Sequence, residues 1–268
     1  MKLGLAIASE KALPSAFVVF RDKLERSIQK VARLGYEGVE LALLDSSQVN
    51  LPEIKKWLKE YHLELPTIST GQVFADARLW LTHPEESIRK KAIERLKSLI
   101  TLASEFGAML NIGRVRGPLD EKDPEASKKR FIGGIRECGD FGKSLGVKII
   151  LEPVNRYEIN FINSVPEGLE MLKKIDHDNI YLMPDLFHMN IEDASIEANL
   201  KMTKHHLAYL HFADSNRLAP GDGHLDFPKI IHTLKDIGYT GFITLEILPH
   251  PDPDTAASRG IKYLRQFI

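Results

Sequence analysis

The chain has 268 residues, 43% of them apolar, which is enough for one domain about the size of a complete βα barrel. Thirty-six Lys and Arg against thirty-seven Asp and Glu leave a formal charge of −1, so no basic surplus points to nucleic acid or anionic lipid and a small-molecule partner is favoured. A single cysteine, Cys138, excludes a disulfide framework and a cysteine-based zinc site.

Short apolar runs alternate along the chain with longer amphipathic stretches, the pattern of parallel strands joined by crossover helices. The first run, Leu3 to Ser9, is strand-like. It is too short for a signal peptide or a bilayer span, and the chain is read as cytoplasmic. Further strands are predicted at Gly38 to Ala42, Glu64 to Thr70, Met109 to Gly113, Lys148 to Pro153, Ile180 to Asp185, Leu207 to Ala213 and Phe242 to Glu246. Thr82-His83-Pro84-Glu85 and Ser164-Val165-Pro166-Glu167 read as capping boxes that start two of the intervening helices. Gly35, Gly107, Gly146 and Gly238 sit where left-handed caps end four helices. Asp226 is placed to cap a helix that Pro228 begins, and with His224 to order the loop before it. Phe74 and Trp80, after the third strand, are read as packing residues rather than as a wall of the site.

Eight such units with no linker or low-complexity tract predict an α/β fold, a single (β/α)8 TIM barrel, as one domain over residues 1–268. An open doubly wound sheet is the alternative, but no glycine-rich dinucleotide fingerprint follows the first strand.

In a βα barrel the reactive groups stand at the C-terminal ends of strands. Here Glu152 ends the fifth apolar run, Asp185 the sixth and Glu246 the eighth, with His211 on the seventh. Their spacings of 33, 26 and 35 residues are each about one βα unit, so the four side chains should converge on one mouth. A lone strand-end carboxylate is often a helix cap, and a lone strand histidine is often a hydrogen-bonded core group. Three carboxylates in one dry cleft, however, repel unless a cation lies between them. Oxygen-rich ligands with one imidazole suit Mn²⁺, Mg²⁺ or Co²⁺ better than a tetrahedral zinc site. Such an ion would leave room for a hydroxy-ketone and stabilise the enediolate formed by proton loss, with two glutamates as base and acid.

The same residues lie in longer segments: Leu151-Glu152-Pro153-Val154-Asn155-Arg156-Tyr157-Glu158, Asp185-Leu186-Phe187-His188-Met189-Asn190, His211-Phe212-Ala213-Asp214-Ser215-Asn216-Arg217 and Glu246-Ile247-Leu248-Pro249. With these segments the chain resembles the xylose-isomerase-like barrels of the sugar isomerase and epimerase group, most closely the D-tagatose 3-epimerase type. The resemblance covers the second half of the chain in the family's order. It implies that Glu152, Asp185, His211 and Glu246 bind one Mn²⁺-like ion, that Glu152 and Glu246 exchange the substrate proton, and that Glu158, His188 and Arg217 hold substrate oxygens. It further implies a homo-oligomer. One departure, Asn111-Ile112-Gly113-Arg114-Val115-Arg116-Gly117, sets arginines beside the mouth. This looks more like the keto-aldonate branch, such as 5-keto-L-gluconate epimerase, with Arg116 or Arg114 pairing a substrate carboxylate; a solvated pair outside the barrel is the alternative.

The function expected is therefore metal-dependent 3-epimerisation of a ketohexose or a keto-aldonate. An aldose-ketose or hydroxypyruvate-type isomerase is the close rival, because the same enediolate can be reprotonated on the neighbouring carbon. An endonuclease IV-type phosphodiesterase shares the fold but needs a multi-metal cluster and a DNA-binding face, which the composition does not imply. A sugar-binding barrel without catalysis would not require two convergent glutamates.

Overall fold

The strands form where β-branched and aliphatic residues alternate between two buried environments, the barrel interior and the helix layer. The computed structural model describes residues 1–13 and 17–268. In chain order its elements are β1 (Lys2–Ala8), β2 (Phe20–Arg21), α1 (Leu24–Leu34), β3 (Gly38–Ala42), α2 (Leu51–Glu60), β4 (Thr67–Ser69), α3 (Gly71–Ala75), α4 (Glu86–Ser104) and β5 (Met109–Ile112). There follow α5 (Pro124–Ser144), β6 (Ile149–Leu151), α6 (Val165–Ile175), β7 (Ile180–Leu182), α7 (Leu186–Glu192), α8 (Ile196–Met202), β8 (Leu210–Phe212), α9 (Phe227–Asp236), β9 (Phe242–Leu245) and α10 (Pro253–Leu264). Among the described residues no helix is long and apolar enough to cross a membrane.

All pairings are parallel, in the order β7-β6-β5-β4-β3-β1-β9-β8, with the short β2 added alongside the end of β1. The two outer strands of that order meet. Isolated bridges join Leu182 to Leu207 and Asp185 to His211, and the amides of Leu182, Ala208 and His211 donate to the carbonyls of His206 (2.7 Å), Leu182 (3.1 Å) and Pro184 (3.1 Å). The eight-stranded barrel predicted from the alternation is thus present. Its closing seam runs through two of the expected site residues.

Helix boundaries follow local chemistry, with one correction. The four predicted glycine caps all have left-handed backbone, with φ of 88° at Gly35, 65° at Gly107, 71° at Gly146 and 78° at Gly238. Ser164 caps α6 by accepting from the amide of Glu167, whose own side chain accepts from Asn163, and Asp226 caps α9. Thr82 starts no helix: its hydroxyl donates to the carbonyl of Pro118 at 2.7 Å, and α4 begins only at Glu86. A tertiary acceptor has taken the hydroxyl that a cap would use.

Outward-facing strand residues such as Leu5, Ile7, Val39, Leu41 and Ile68 join the helix faces in the main core. Inside the barrel, Ile150, Met183, Tyr209 and Phe242 fill the lower part, while Ala6, Ala8 and Ala42 keep the upper part narrow-walled. Gly4 on β1 faces Thr244 on β9, and a Cβ there would sit 2.3 Å from the Thr244 hydroxyl, which is itself bonded to the Tyr209 phenol. Gly4→Ala is therefore expected to cost on the order of 1–3 kcal/mol by overpacking. A fall of several degrees in the thermal midpoint checks this; an unchanged midpoint would mean that the interior yields at no cost.

Candidate metal and substrate site

Glu152 leaves the end of β6, Asp185 the end of β7 and Glu246 the end of β9, while His211 lies within β8. All four point into the C-terminal mouth of the barrel, where successive strand ends deliver side chains to one point. His211 Nδ1 is 3.6 Å from Glu152 Oε1, 3.8 Å from Asp185 Oδ2 and 3.9 Å from Glu246 Oε2. Donor atoms of Glu152, Asp185 and His211 all lie within 4.8 Å of one another, and these three residues are buried. Glu246 is not part of that mutual set; its Oε2 accepts a hydrogen bond of 2.7 Å from Arg217.

Two atoms of the cluster are orphaned. Asp185 Oδ1 caps α7 by accepting from the amide of Phe187 at 2.7 Å, but among the described residues the buried Oδ2 has no hydrogen-bond partner, and neither has His211 Nδ1. Buried polar atoms without partners are costly, and a carboxylate oxygen and an imidazole nitrogen left facing each other have the donor chemistry of a divalent ion site. The residues present fit such an ion.

Polar neighbours fix each group. Asn111 donates to Glu152 Oε2 at 2.9 Å, and a Cβ on Gly113 would collide with that oxygen at 2.5 Å, so only glycine leaves the carboxylate room. The amide oxygen of Asn155 accepts from the backbone of Tyr157, which leaves its NH₂ to donate to His188 Nδ1 at 2.8 Å. His188 must then carry its proton on Nε2, which faces Glu152 and Asp185 at 4.0 and 3.9 Å. On the far side of His211, Nε2 lies 2.8 Å from Glu40 Oε2, on β3.

The rim of the mouth is ionic and aromatic. Arg217, with a left-handed φ of 61°, donates to Glu158 Oε1 at 2.8 Å as well as to Glu246, and its guanidinium stacks 3.7 Å from the Phe17 ring and 4.7 Å from the Phe187 ring. Arg114 lines the same cavity, 3.6 Å from Glu158 Oε2. The cavity holds about 570 Å³ of empty space, its open mouth included.

Arg116 is not among the lining residues, and the expectation that it meets a substrate carboxylate needs correction. Its side chain is fully buried, and its guanidinium donates to four backbone carbonyls: Phe161 (2.7 Å), Gly113 (2.8 Å), Glu152 (2.8 Å) and Ile162 (2.9 Å). The arginine fork ties the strand end bearing Glu152 to the loop behind it. Phe74 and Trp80 pack edge to face with ring centroids 5.6 Å apart and do not line the cavity, as expected. Phe17, Asn155, Asn111 and Glu40 went unremarked in sequence. Only Glu40 carried a legible signal, a charge between Val39 and Leu41 in mid-strand.

Burial and mutual repulsion divide the carboxylates. Burial, reinforced by the charges of Glu246 and Glu152, lifts Asp185 to about 7. Burial likewise raises Glu246. Burial would raise Glu152 too, but the contact with His211, that residue's charge and the Asn111 amide outweigh it and hold the group at about 2. Burial pushes His188 well below the usual imidazole value, so it stays neutral.

A family model described as xylose isomerase-like TIM barrel matches residues 28–267. The D-psicose 3-epimerase of Ruminiclostridium cellulolyticum is 32% identical over 227 residues, covering 82% of this chain and 76% of that protein. The L-ribulose 3-epimerase of a Methylomonas species is 30% identical over 224 residues, covering 82% and 77%. The crystal structure of the D-allulose 3-epimerase from Methylomonas superposes with a TM-score of 0.84 at 25% identity, covering 100% of this chain and 98% of that one.

Replacing Arg116 by Met strands the carbonyls of Phe161 and Glu152, at about 1–2 kcal/mol each when buried and unpaired, while Gly113 and Ile162 still accept from the amides of Arg116 and Val154. We expect Arg116→Met to lower the thermal midpoint by roughly 4–16 °C, taking about 2–4 kcal/mol in all and about 2–4 °C per kcal/mol for a chain of this size. In the folded fraction, the ratio of kcat/KM between charged and neutral substrates should not move; a collapse of that ratio would restore Arg116 to the substrate.

Proposed function

The chain belongs to the xylose isomerase-like TIM barrel family, and on that premise we propose that it is a divalent-metal-dependent sugar epimerase that inverts the carbon next to a ketone. The observation that carries this reading is the convergence of Glu152 and Glu246 on His211 Nδ1, at 3.6 and 3.9 Å, beside the orphaned oxygen of Asp185. Inversion needs a proton acceptor on one face of the substrate and a donor on the other. Two glutamates brought to one site from β6 and β9, on either side of β8, suit that demand.

Glu152, Asp185, His211 and Glu246 would hold the ion, for which we favour Mn²⁺ over Co²⁺ or Mg²⁺. Bound there, it would act as a Lewis acid that spreads the negative charge left when the carbon beside the ketone loses its proton. Glu152 takes that proton, and Glu246 returns one to the opposite face. His188, with its proton placed on Nε2 by Asn155, donates to a substrate oxygen. Glu158, gripped by Arg217, is placed to accept from a substrate hydroxyl. Arg217 also orients Glu246 and, with Phe17 and Phe187 against it, closes that flank to water.

A keto-aldonate substrate finds specific support beside the ketohexose. Among the described residues Arg114 makes no guanidinium hydrogen bond; its ion pair with Glu158 at 3.6 Å is long, and it lines the cavity. Unspent planar donors suit a substrate carboxylate. Return of the proton to the neighbouring carbon would make the same site an isomerase, and the identity of the product separates the two outcomes. We further read the enzyme as one domain over 1–268 that works in the cytoplasm as a homo-oligomer. The buried, unpaired Cys138 supports the reducing compartment.

Incubation in D₂O with Mg²⁺ and, separately, D-psicose, D-fructose, D-tagatose and 5-keto-gluconates should place deuterium on the carbon beside the ketone and produce one new epimer. No exchange with any of them, and none with Co²⁺ or Mn²⁺ by product analysis, would sink the proposal. Glu152→Gln and Glu246→Gln should each lower kcat by at least about 100-fold, the low end for a general acid or base. Arg114→Met should lower kcat/KM on an anionic substrate by about 10- to 100-fold relative to a neutral ketose, the worth of a charge-assisted bond. Equal losses on both would remove the carboxylate from the proposal.

A further inference from the structure

Glu40 has no part in the chemistry described above, yet it is fully buried in the middle of β3. Its Oε2 lies 2.8 Å from His211 Nε2, and among the described residues its Oε1 has no hydrogen-bond partner. In the strand order β1 and β9 lie between β3 and β8, so this contact crosses the barrel interior. The register makes the crossing feasible. Glu40 pairs with Ala6 on β1, and His211 pairs with Thr244 on β9, which pairs with Gly4 on β1. All five face inward, and the small Gly4 and Ala6 leave the space the carboxylate occupies.

A carboxylate in this position needs a reason, because removing it from water costs on the order of several kcal/mol and half of it is left unpaired. Packing offers none; a leucine would fill the space with no orphaned atom. The histidine supplies the reason. A histidine that ligates an ion keeps one proton on its two nitrogens, and only the bare nitrogen can bind the cation. Three carboxylates surround Nδ1 within 3.9 Å, and without an opposing acceptor they would draw the proton to Nδ1 and block it. The Tyr209 ring stands edge-on to His211 with centroids 5.9 Å apart, and its hydroxyl is bonded to Thr244.

We propose that Glu40 is a positioning residue of the metal site: it accepts the Nε2 proton of His211 and so commits the Nδ1 lone pair to the ion. The inference rests on the metal-dependent reading above. Carboxylates behind ligating histidines act this way in metal proteins, and their loss typically costs about 10- to 100-fold in affinity. The role also explains why the acceptor is a carboxylate and not an amide. A glutamine could turn its NH₂ toward Nε2, which would invert the histidine and put the proton on Nδ1.

Metal-stripped unaltered protein and Glu40→Gln would be titrated with Mn²⁺ by calorimetry, with thermal midpoints recorded in EDTA. The expected result is a dissociation constant raised about 10- to 100-fold in Glu40→Gln, with a midpoint in EDTA no lower than that of the unaltered protein, and kcat regained as Mn²⁺ is raised. A constant within twofold of the unaltered protein overturns the proposal. Absence of Mn²⁺ binding by the unaltered protein fails the metal reading itself, and that arm is read first. A second measurement needs no substitution: ¹⁵N-histidine spectra of Zn²⁺-loaded unaltered protein should show His211 protonated on Nε2, and a proton on Nδ1 overturns the role of Glu40 however the variant folds.

Discussion

Everything at the mouth of this barrel answers to the cost of holding Glu40, Glu152, Asp185 and Glu246 out of water around one imidazole. Repulsion among them in a medium of low dielectric is stronger than any surface arrangement would meet. The protein meets it with His211 at the centre, Arg217 on Glu246 at 2.7 Å and Asn111 on Glu152 at 2.9 Å. Among the described residues, the buried atoms of this cluster left without a hydrogen-bond partner are Asp185 Oδ2, His211 Nδ1, Glu40 Oε1 and, at the rim, Arg217 Nε. An evenly satisfied cluster would be a structural ion-pair network. Asp185 Oδ2 and His211 Nδ1 face each other at 3.8 Å on the side of the histidine away from Glu40, and a divalent cation has the charge and the ligand preference to satisfy both.

The barrel holds that pair in place because its site and its seam coincide. β7 and β8 meet only through isolated bridges, one of which joins Asp185 to His211. The backbones of two candidate ligands are thus locked to each other by the contact that closes the sheet, and their relative position cannot relax without opening the barrel. Glu152 is anchored differently. Its carbonyl accepts from Arg116, whose other donors hold Gly113 and the 161–162 loop. One arginine, Arg217, therefore meets carboxylates at the rim, and another, Arg116, meets only backbone dipoles behind the floor.

That difference shows where sequence was legible and where it was not. The eight strands were readable because apolar runs and glycine caps are local, and the four strand-end residues were readable because barrel geometry converts spacing along the chain into convergence in space. Arg114 and Arg116 could not be told apart, because a 3-10 turn over residues 114–116 sends one side chain outward and the other inward, and the partners of Arg116 are carbonyls that every residue possesses. The hydroxyl of Thr82 was lost to the cap for the same reason, its acceptor being the carbonyl of Pro118. Glu40 lies 171 residues from His211, and only its charge inside an apolar run hinted that something buried awaited it.

Floor and rim obey different physics. On the floor each side chain is fixed by partners that are fixed in turn: Tyr157 amide on Asn155, Asn155 on His188, Glu40 on His211. Truncating Asn155 or His188 there leaves a buried neutral group unpaired, at about 1–3 kcal/mol. At the rim, Arg114 is about a fifth exposed and holds Glu158 at 3.6 Å, longer than a hydrogen bond. A side chain so loosely held can be replaced at little cost in stability, and whatever replaces it lines the same cavity. Glu152 and Glu246 differ from Arg114 in this respect, since Asn111 holds the one at 2.9 Å and Arg217 the other at 2.7 Å, so a change at Arg114 leaves the bonds that place both glutamates intact.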